Sequence, residues 1–328
     1  MESSASVANG IVYFGSDDDY VYALNSSTGS KLWSFGTGGE VYSSPTIAAG
    51  VVYVGSNDFN VYALNAVTGE KIWSYGTGNY VYSSPAVVGS VVYVDSYMDV
   101  YALNASSGDK IWSYPAGAPM YSSSAISNGV VYTVSNNSVY ALSASTGSKM
   151  WSFPTGGVIE SSPAVANGLV FVGSDDHKVY ALNTVSGSKV WSFATGNIVD
   201  SSPFVADGLV YFGSEDSNVY ALNAATGDKI WSYVTGSAVE SSPSVCNGVV
   251  YIGSDDNNVY AFGSITIPQP SPYVPSLTPT PTHASRELST SRISRDSLLI
   301  IVGVVLIMII IVGLVVGLRF KGSRSNKD

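Results

Sequence analysis

Of the side chains that usually carry nucleophilic, acid–base or metal chemistry, the chain holds His177, His283 and Cys246, and no other histidine or cysteine among its 328 residues. Two histidines so placed cannot assemble a histidine-based triad or a multi-histidine metal site. His177 falls in a hairpin turn and His283 in a proline-rich stretch, so both are expected to be solvated. One cysteine excludes an internal disulfide and any cysteine-based zinc or haem-attachment motif. Cys246 lies in a short strand-like run and is expected to be a small buried hydrophobe.

Carboxylates are what remain. Asp17-Asp18-Asp19, Asp175-Asp176, Glu215-Asp216 and Asp255-Asp256 recur in one turn, between two strand-like runs. Aspartate favours such turns by accepting bonds from nearby backbone amides. Loops this short cannot alone present the roughly six to eight oxygens that calcium takes, so turn chemistry is expected there and no metal. A second position changes in an ordered way. The residue before each Ser-Ser-Pro or its equivalent reads Glu2, Tyr42, Tyr82, Tyr121, Glu160, Asp200 and Glu240. Around a closed ring, four adjacent units would carry carboxylates there and three adjacent units tyrosines. An acidic crescent facing an aromatic one is suited to a cation, a basic peptide or a glycan.

The elements that must position these residues are a repeat. Six copies of Ala-Leu-Asn-x-x-Thr/Ser-Gly-x-Lys-x-Trp, with Ser143 for Asn in the fourth, end at Trp33, Trp73, Trp112, Trp151, Trp191 and Trp231, 39 or 40 residues apart. Each unit reads as four short strands, clearest in Ser161–Val165, Leu169–Gly173, Val179–Leu182 and Lys189–Phe193, joined by turns of hairpin length. Such a unit cannot bury its own apolar faces and must pack on its neighbours. A Val-Tyr-Ala-Leu/Phe element starts at Val21, Val61, Val100, Val139, Val179, Val219 and Val259, so seven sheets are implied. Neither end shows a polar capping unit, which favours radial closure over an open solenoid. The tryptophan strand is absent from the seventh unit, which runs Ala261-Phe262-Gly263-Ser264-Ile265-Thr266-Ile267 into Pro268. Either Ile265 to Ile267 is a degenerate fourth strand, or a segment upstream of Met1 supplies it. The second expectation would also restore a signal peptide, because Met-Glu-Ser-Ser-Ala-Ser-Val has no basic and then apolar segment.

Ala23-Leu24-Asn25-Ser26-Ser27-Thr28-Gly29-Ser30-Lys31-Leu32-Trp33 resembles the tryptophan-docking motif of the PQQ-like (pyrroloquinoline-quinone-type) β-propeller repeat, and the match recurs six times over residues 1–264. The resemblance implies an all-β, seven-bladed propeller of four-stranded antiparallel blades. It implies that the six tryptophans lie between blades, against the alanines and glycines of the docking motifs, Gly29, Gly69, Gly108, Gly147, Gly187 and Gly227. It also raises a quinone-dependent dehydrogenase as an alternative. Dehydrogenases of the family are larger, hold calcium through a Glu/Asn/Asp set and often carry a disulfide between adjacent cysteines; none of these can be placed on this chain, so no cofactor is expected. The family also includes scaffold subunits of bacterial outer-membrane protein assembly, which are lipoproteins; the chain shows no lipid-attachment cysteine near its start.

Residues 1–264 hold 21 acidic side chains against seven lysines and no arginine. A surface this acidic repels phosphate backbones, and nucleic acid is an unsuitable partner. Residues 265–297 include six prolines between Pro268 and Thr282, an extended stalk that at about 3.1 Å per residue reaches roughly 45 Å. Leu298 to Leu318 has no charge and is long enough to cross a bilayer as a helix, and the tail 319–328 carries Arg319, Lys321, Arg324 and Lys327. These features predict a single-pass, membrane-anchored propeller displayed outside the cell, with a cytoplasmic C-terminus, Asn25, Asn104 and Asn136 as glycan acceptors, and a protein, peptide or glycan ligand on the propeller face. Repeats of this kind with a C-terminal apolar helix resemble archaeal surface proteins. A cytosolic, tail-anchored propeller is the other arrangement that the start of the chain allows.

Overall fold

A computed structural model describes residues 3–263. Glu2, the stalk, the apolar run Leu298 to Leu318 and the basic tail lie outside the described residues, as does the fate of Ile265 to Ile267. Within them the chain is a seven-bladed β-propeller: six four-stranded antiparallel sheets and a last one of three strands. The blades span residues 6–36, 46–76, 86–115, 125–154, 164–194, 204–234 and 244–262. In every blade the strands pair in sequence order, and the first strands of successive blades approach one another, so the first strand lies innermost. No helix among the described residues is long and apolar enough to cross a membrane.

Blade 2 shows why these residues make these strands. Val51–Gly55 and Asn60–Asn65 are covered on both faces by neighbouring blades, which is why they read as near-continuous apolar runs rather than as an alternation. Lys71–Gly76 forms the outer edge, with Lys71 and Ile72 exposed and Trp73 buried. The ladder shifts register between Ala63 and Leu64, leaving Ile72 as the extra residue of a bulge. The same shift recurs in the other four-stranded blades. A bulge and a lysine on every outer strand discourage edge-to-edge pairing with other chains.

The innermost strand is shorter than its sequence suggests. It spans Ala164–Ala166 rather than Ser161–Val165. Pro163 has no amide hydrogen to give to a ladder, and Ser161 Oγ bonds both the N–H and the C=O of Gly173, at 2.8 and 3.0 Å. The Ser162 amide donates instead to Ser202 Oγ of the next blade, 2.9 Å away. Equivalent amide-to-hydroxyl links run from Ser4 through Ser44, Ser84, Ser123, Ser162 and Ser202 to Ser242. Cys246 is a correction: it ends Ser244–Cys246, whose pattern leaves only Val245 partly covered, and its thiol is exposed.

Blade-to-blade packing centres on the indole. Trp33 Nε1 donates to the Ala66 carbonyl of blade 2 at 3.0 Å, its ring lies over Gly69, and Tyr13 of its own blade tilts against it at 5.9 Å. Trp73, Trp112, Trp151 and Trp191 repeat this on Gly108, Gly147, Gly187 and Gly227. Each indole buries roughly 150–250 Å², worth at most about 4–6 kcal/mol. Trp231 departs from the expectation. Blade 7 has no Asn-x-x-Thr-Gly turn among its described residues, and Trp231 packs on Phe262 at 5.2 Å. At the other end Gly29 meets nothing within 4 Å of the place where a Cβ would stand.

Asp95 occupies, in blade 3, the place that glycine takes in blades 1, 2, 5, 6 and 7. It is fully buried and accepts bonds from Ser124 Oγ at 2.8 Å and Thr133 Oγ1 at 3.1 Å. Burial pushes its carboxyl up to about 7, more than those bonds offset. Because the folded value lies above the unfolded one, stability falls as pH rises from about 4 to 7 and then levels. The contribution is at most about 4 kcal/mol, at roughly 1.36 kcal/mol per pH unit. Urea titrations at pH 4.5 and 8 should show this loss, and Asp95→Asn should remove most of the part due to Asp95; an equal loss in both proteins would refute the assignment.

A Cβ on Gly69 would stand 2.7 Å from Trp33 Cδ2, at a φ of +74°. Gly69→Ala therefore combines left-handed strain of about 1–2 kcal/mol with overpacking of about 1–3 kcal/mol. Gly29→Ala, at a similar φ, carries the strain alone. The difference between the two variants in chemical denaturation isolates the docking contact, and equal losses would show that the indole yields freely.

Candidate functional site

The chain enters each blade along a crossing segment that the blade's own second turn fastens to one end of the ring. The Asp175, Glu215 and Asp255 amides donate to the carbonyls of Val158, Ile198 and Ala238 at 2.9–3.0 Å. Those carbonyls lie two residues before Glu160, Asp200 and Glu240. The turn acids and the acids before Ser-Ser-Pro therefore meet, blade after blade, at the same end of the central channel.

The paired acids of the turns divide their work. The second member is structural. Asp216 accepts from Tyr220 Oη at 2.6 Å, the Gly196 amide at 2.7 Å and the Asn218 amide at 3.0 Å. Burial alone would raise its carboxyl, but these bonds outweigh it and hold the group below the usual range. Asp58 and Asp256 are bound in the same way, and Asp176 is held by Tyr180, the Gly156 amide and Lys178. Burial and the adjoining carboxylate raise the Tyr220 phenol in turn.

The first member faces the rim. Burial, reinforced by Asp175, Glu160 and Glu215, pushes the Asp200 carboxyl up to about 7. Asp200 Oδ1 and Asp175 Oδ1 are buried oxygens without a hydrogen-bond donor; a proton on Asp200 lets it donate to Asp175 and supplies one. Burial also raises Glu240, with Asp255, Glu215 and Glu160 adding to it. Glu160, Asp200 and Glu240 thus join Asp175, Glu215 and Asp255 in one acidic arc. Among the described residues no group of three or more His, Cys, Asp or Glu has the geometry to hold a metal ion.

The tyrosine half is equally continuous. Tyr42 and Tyr82 stack with centroids 6.0 Å apart, and Tyr82 and Tyr121 lie 6.2 Å apart. Tyr80 stacks on Tyr82 at 5.6 Å, Tyr97 meets Tyr121 edge-on at 5.8 Å, and Phe59 abuts Tyr80 at 5.0 Å. Tyr42 Oη donates to Glu40 at 2.9 Å. Tyr121 is half exposed, and its phenol is raised by the Tyr97 hydroxyl first, with Glu160 contributing where the two arcs meet.

Asp175, Glu215 and Asp255, expected only as turn formers, are rim residues, and so are Tyr80, Tyr97 and Phe59, which the sequence reading did not single out. The signal lay in the turn column, which reads Asp17, Asn57, Tyr97, Asn136, Asp175, Glu215 and Asp255 and segregates as the Glu2 to Glu240 column does. Read as turn formers alone, the acid pairs hid the different roles of their two members. His177 is an exposed turn residue with a φ of 65°. The arrangement concentrates negative potential beside flat aromatic faces, which suits capture of a cationic group.

A family model described as outer membrane protein assembly factor BamB matches residues 2–136, 81–158 and 135–266. Among solved structures the chain is similar to BamB from Moraxella catarrhalis, at 17% identity and a TM-score of 0.70 over 80% of this chain and 85% of that one. It is similar to the computationally designed Ika8 protein, at 16% identity and a TM-score of 0.73 over 80% and 83%. It is also similar to a europium-containing methanol dehydrogenase, at 14% and 0.63 over 79% and 72%. At these identities the structural likenesses establish the fold alone. No curated protein sequence matches the chain.

Glu160→Gln removes one of the charges that raise Asp200. Carboxyl titration by carbon-13 NMR should show the Asp200 midpoint falling from about 7, and falling further when Asp175→Asn is added; an unmoved midpoint would show that the rim acids do not act on one another.

Proposed function

The chain belongs to the family of the outer membrane protein assembly factor BamB, and from that membership we propose that it is a non-catalytic binding or scaffold propeller whose partner is a protein. The partner presents a basic segment to the channel rim, where lysine or arginine heads meet the acidic arc and their stems lie along the tyrosines. The observation that carries this reading is the segregation of the rim into Glu160, Asp175, Asp200, Glu215, Glu240 and Asp255 on one side and Tyr42, Tyr82, Tyr97 and Tyr121 on the other, with Asp200 raised by burial first and by its acidic neighbours in addition. A cation placed there relieves the like-charge repulsion that the empty rim sustains, so binding is favoured by what the free protein lacks.

We assign the propeller to the cell surface, tethered by Leu298 to Leu318 and held off the bilayer by the stalk; the support is the composition of residues 265–328. A quinone-dependent dehydrogenase is the enzymatic alternative, and the methanol dehydrogenase likeness concerns fold only.

A fluorescein-labelled Lys/Arg-rich decapeptide and the full-length chain test the rim directly. Anisotropy should show saturable binding that weakens steeply with salt, and the triple variant Glu160→Gln, Asp200→Asn, Glu240→Gln should bind at least tenfold less tightly. Undiminished capture by the triple variant would overturn the binding reading. Dye reduction after addition of pyrroloquinoline quinone and calcium would overturn the non-catalytic one, and resistance of the propeller to protease on intact cells would overturn surface display.

A further inference from the structure

Near-copies of one unit, docked through one kind of seat, leave little to tell the right neighbour from a wrong one. The seam between blades 3 and 4 is different. Four departures from the repeat fall on its two sides, and the structure joins three of them by hydrogen bonds. Asp95 stands where blades 1, 2, 5, 6 and 7 have glycine, and Ser124 where blades 2, 3, 5, 6 and 7 have proline. Thr133 takes the place held elsewhere by Phe14, Val54, Val94, Val172, Phe212 and Ile252. Across the seam Ser124 Oγ donates to Asp95 at 2.8 Å and Thr133 Oγ1 at 3.1 Å. The Ser124 amide, which a proline would lack, donates to the same carboxyl. Met120 is the fourth departure. A Cβ on Gly15, Gly55, Gly173 or Gly213 would overlap Cγ1 of Val41, Val81, Val199 or Val239 in the next crossing segment, whereas Met120, buried at the corresponding place before blade 4, has no branch at Cβ. Ser83 Oγ pins the Asp95 main chain to its own blade, at 2.7 and 2.9 Å. Asp95 and Thr133 are 1% and 0% exposed, so each depends on the other side of the seam for its partner.

We infer that Asp95, with Ser124 and Thr133, forms a matched lock that makes blade 4 the selected successor of blade 3 in a series of otherwise interchangeable units. Set against blade 2, 3, 5, 6 or 7, Asp95 would face a proline without an amide hydrogen and an aliphatic or phenylalanine side chain. The buried carboxyl would then lose all three donors, a heavy penalty in a dry seam. The converse also holds. Behind any blade but the third, Ser124 and Thr133 would face a glycine or Val134 and lose their acceptor. Wrong neighbours arise when a unit is skipped or when a second chain contributes one, the usual misassembly of repeat proteins. A buried polar cluster adds little strength over apolar packing of the same volume, and its best-attested use is to specify register. The cluster therefore selects a neighbour, while the indole seats supply the adhesion.

Urea titration and refolding of the full-length chain test the lock. Ser124→Pro with Thr133→Val gives blade 4 the residues of its neighbours and should lower the folding equilibrium constant at least about a hundredfold, the scale of a buried charge left alone. Asp95→Gly with Met120→Val, the reverse mismatch, should lower it at least about tenfold. All four changes together reset the seam to the repeat and should return the constant to within about tenfold of the natural chain. Refolding separates selection from strength. After dilution from urea, the reset chain should leave at least about twice the natural share of protein in misassembled oligomers on size-exclusion chromatography. Should Ser124→Pro with Thr133→Val fail to fold, Thr133→Val alone removes one donor and gives the same reading at about a tenfold loss. A first mismatch as stable as the natural chain, or a reset chain that loses the sum of both mismatches, would overturn the pairing. Refolding of the reset chain as cleanly as the natural one would overturn the selection.

Discussion

An indole laid on a glycine of the next sheet is the contact on which this architecture depends. A central blade has no solvent face of its own. Its strands are apolar on both sides, and only the neighbouring blades cover them. The tryptophan reaches across because the outer strand carries a bulge, and it seats because the opposing turn carries a residue without a side chain in the left-handed region. The Nε1–H bond to a turn carbonyl then fixes the angle between sheets, since a buried indole N–H requires an acceptor. Repeated five times at one spacing, a single local geometry sets the rotation from blade to blade.

The rim follows from that scaffold. Rigid sheets leave the crossing segments little freedom, and the turn amides of Asp175, Glu215 and Asp255 tie them down. Side chains before each Ser-Ser-Pro are thus presented at a regular interval around the channel. Adjacent turn acids meet opposite fates. Asp176, Asp216 and Asp256 are stabilised as carboxylates by tyrosine hydroxyls and glycine amides and hold the turn closed, while Asp175, Glu215 and Asp255 are left to oppose Asp200 and Glu240.

The period of the tryptophan motif made the fold legible, because strand lengths, turns and packing contact are all written into each forty-residue unit. The grouping of Glu160, Asp200 and Glu240 in successive blades, and of Tyr42, Tyr82 and Tyr121 in others, was legible for the same reason, as a column of the repeat that varies in blocks. Proximity between columns was not. Nothing in the one-dimensional pattern puts Tyr80 and Tyr97 beside Tyr82, or divides Asp175 from Asp176, because those relations depend on how the crossing segment folds over the turn. Single departures from the repeat were equally hidden. Asp95 reads as one more polar residue at a strand end, and only the sheet packing shows a carboxyl enclosed on all sides. Cys246 reads as a core residue, because the pattern does not reveal that the last blade lacks cover.

The ladder of serine amides and hydroxyls from Ser4 to Ser242 joins each blade only to the one after it, as the indoles do. Coupling between nearest neighbours makes the molecule behave as a one-dimensional chain of cooperative units rather than as a single all-or-none body. The terminal blades, each with a partner on one side, have the lowest local opening free energy, and those between are held from both directions. Loss of structure therefore advances from the ends toward blades 3 to 5, and the centre of the series is the last to exchange its amide protons with solvent.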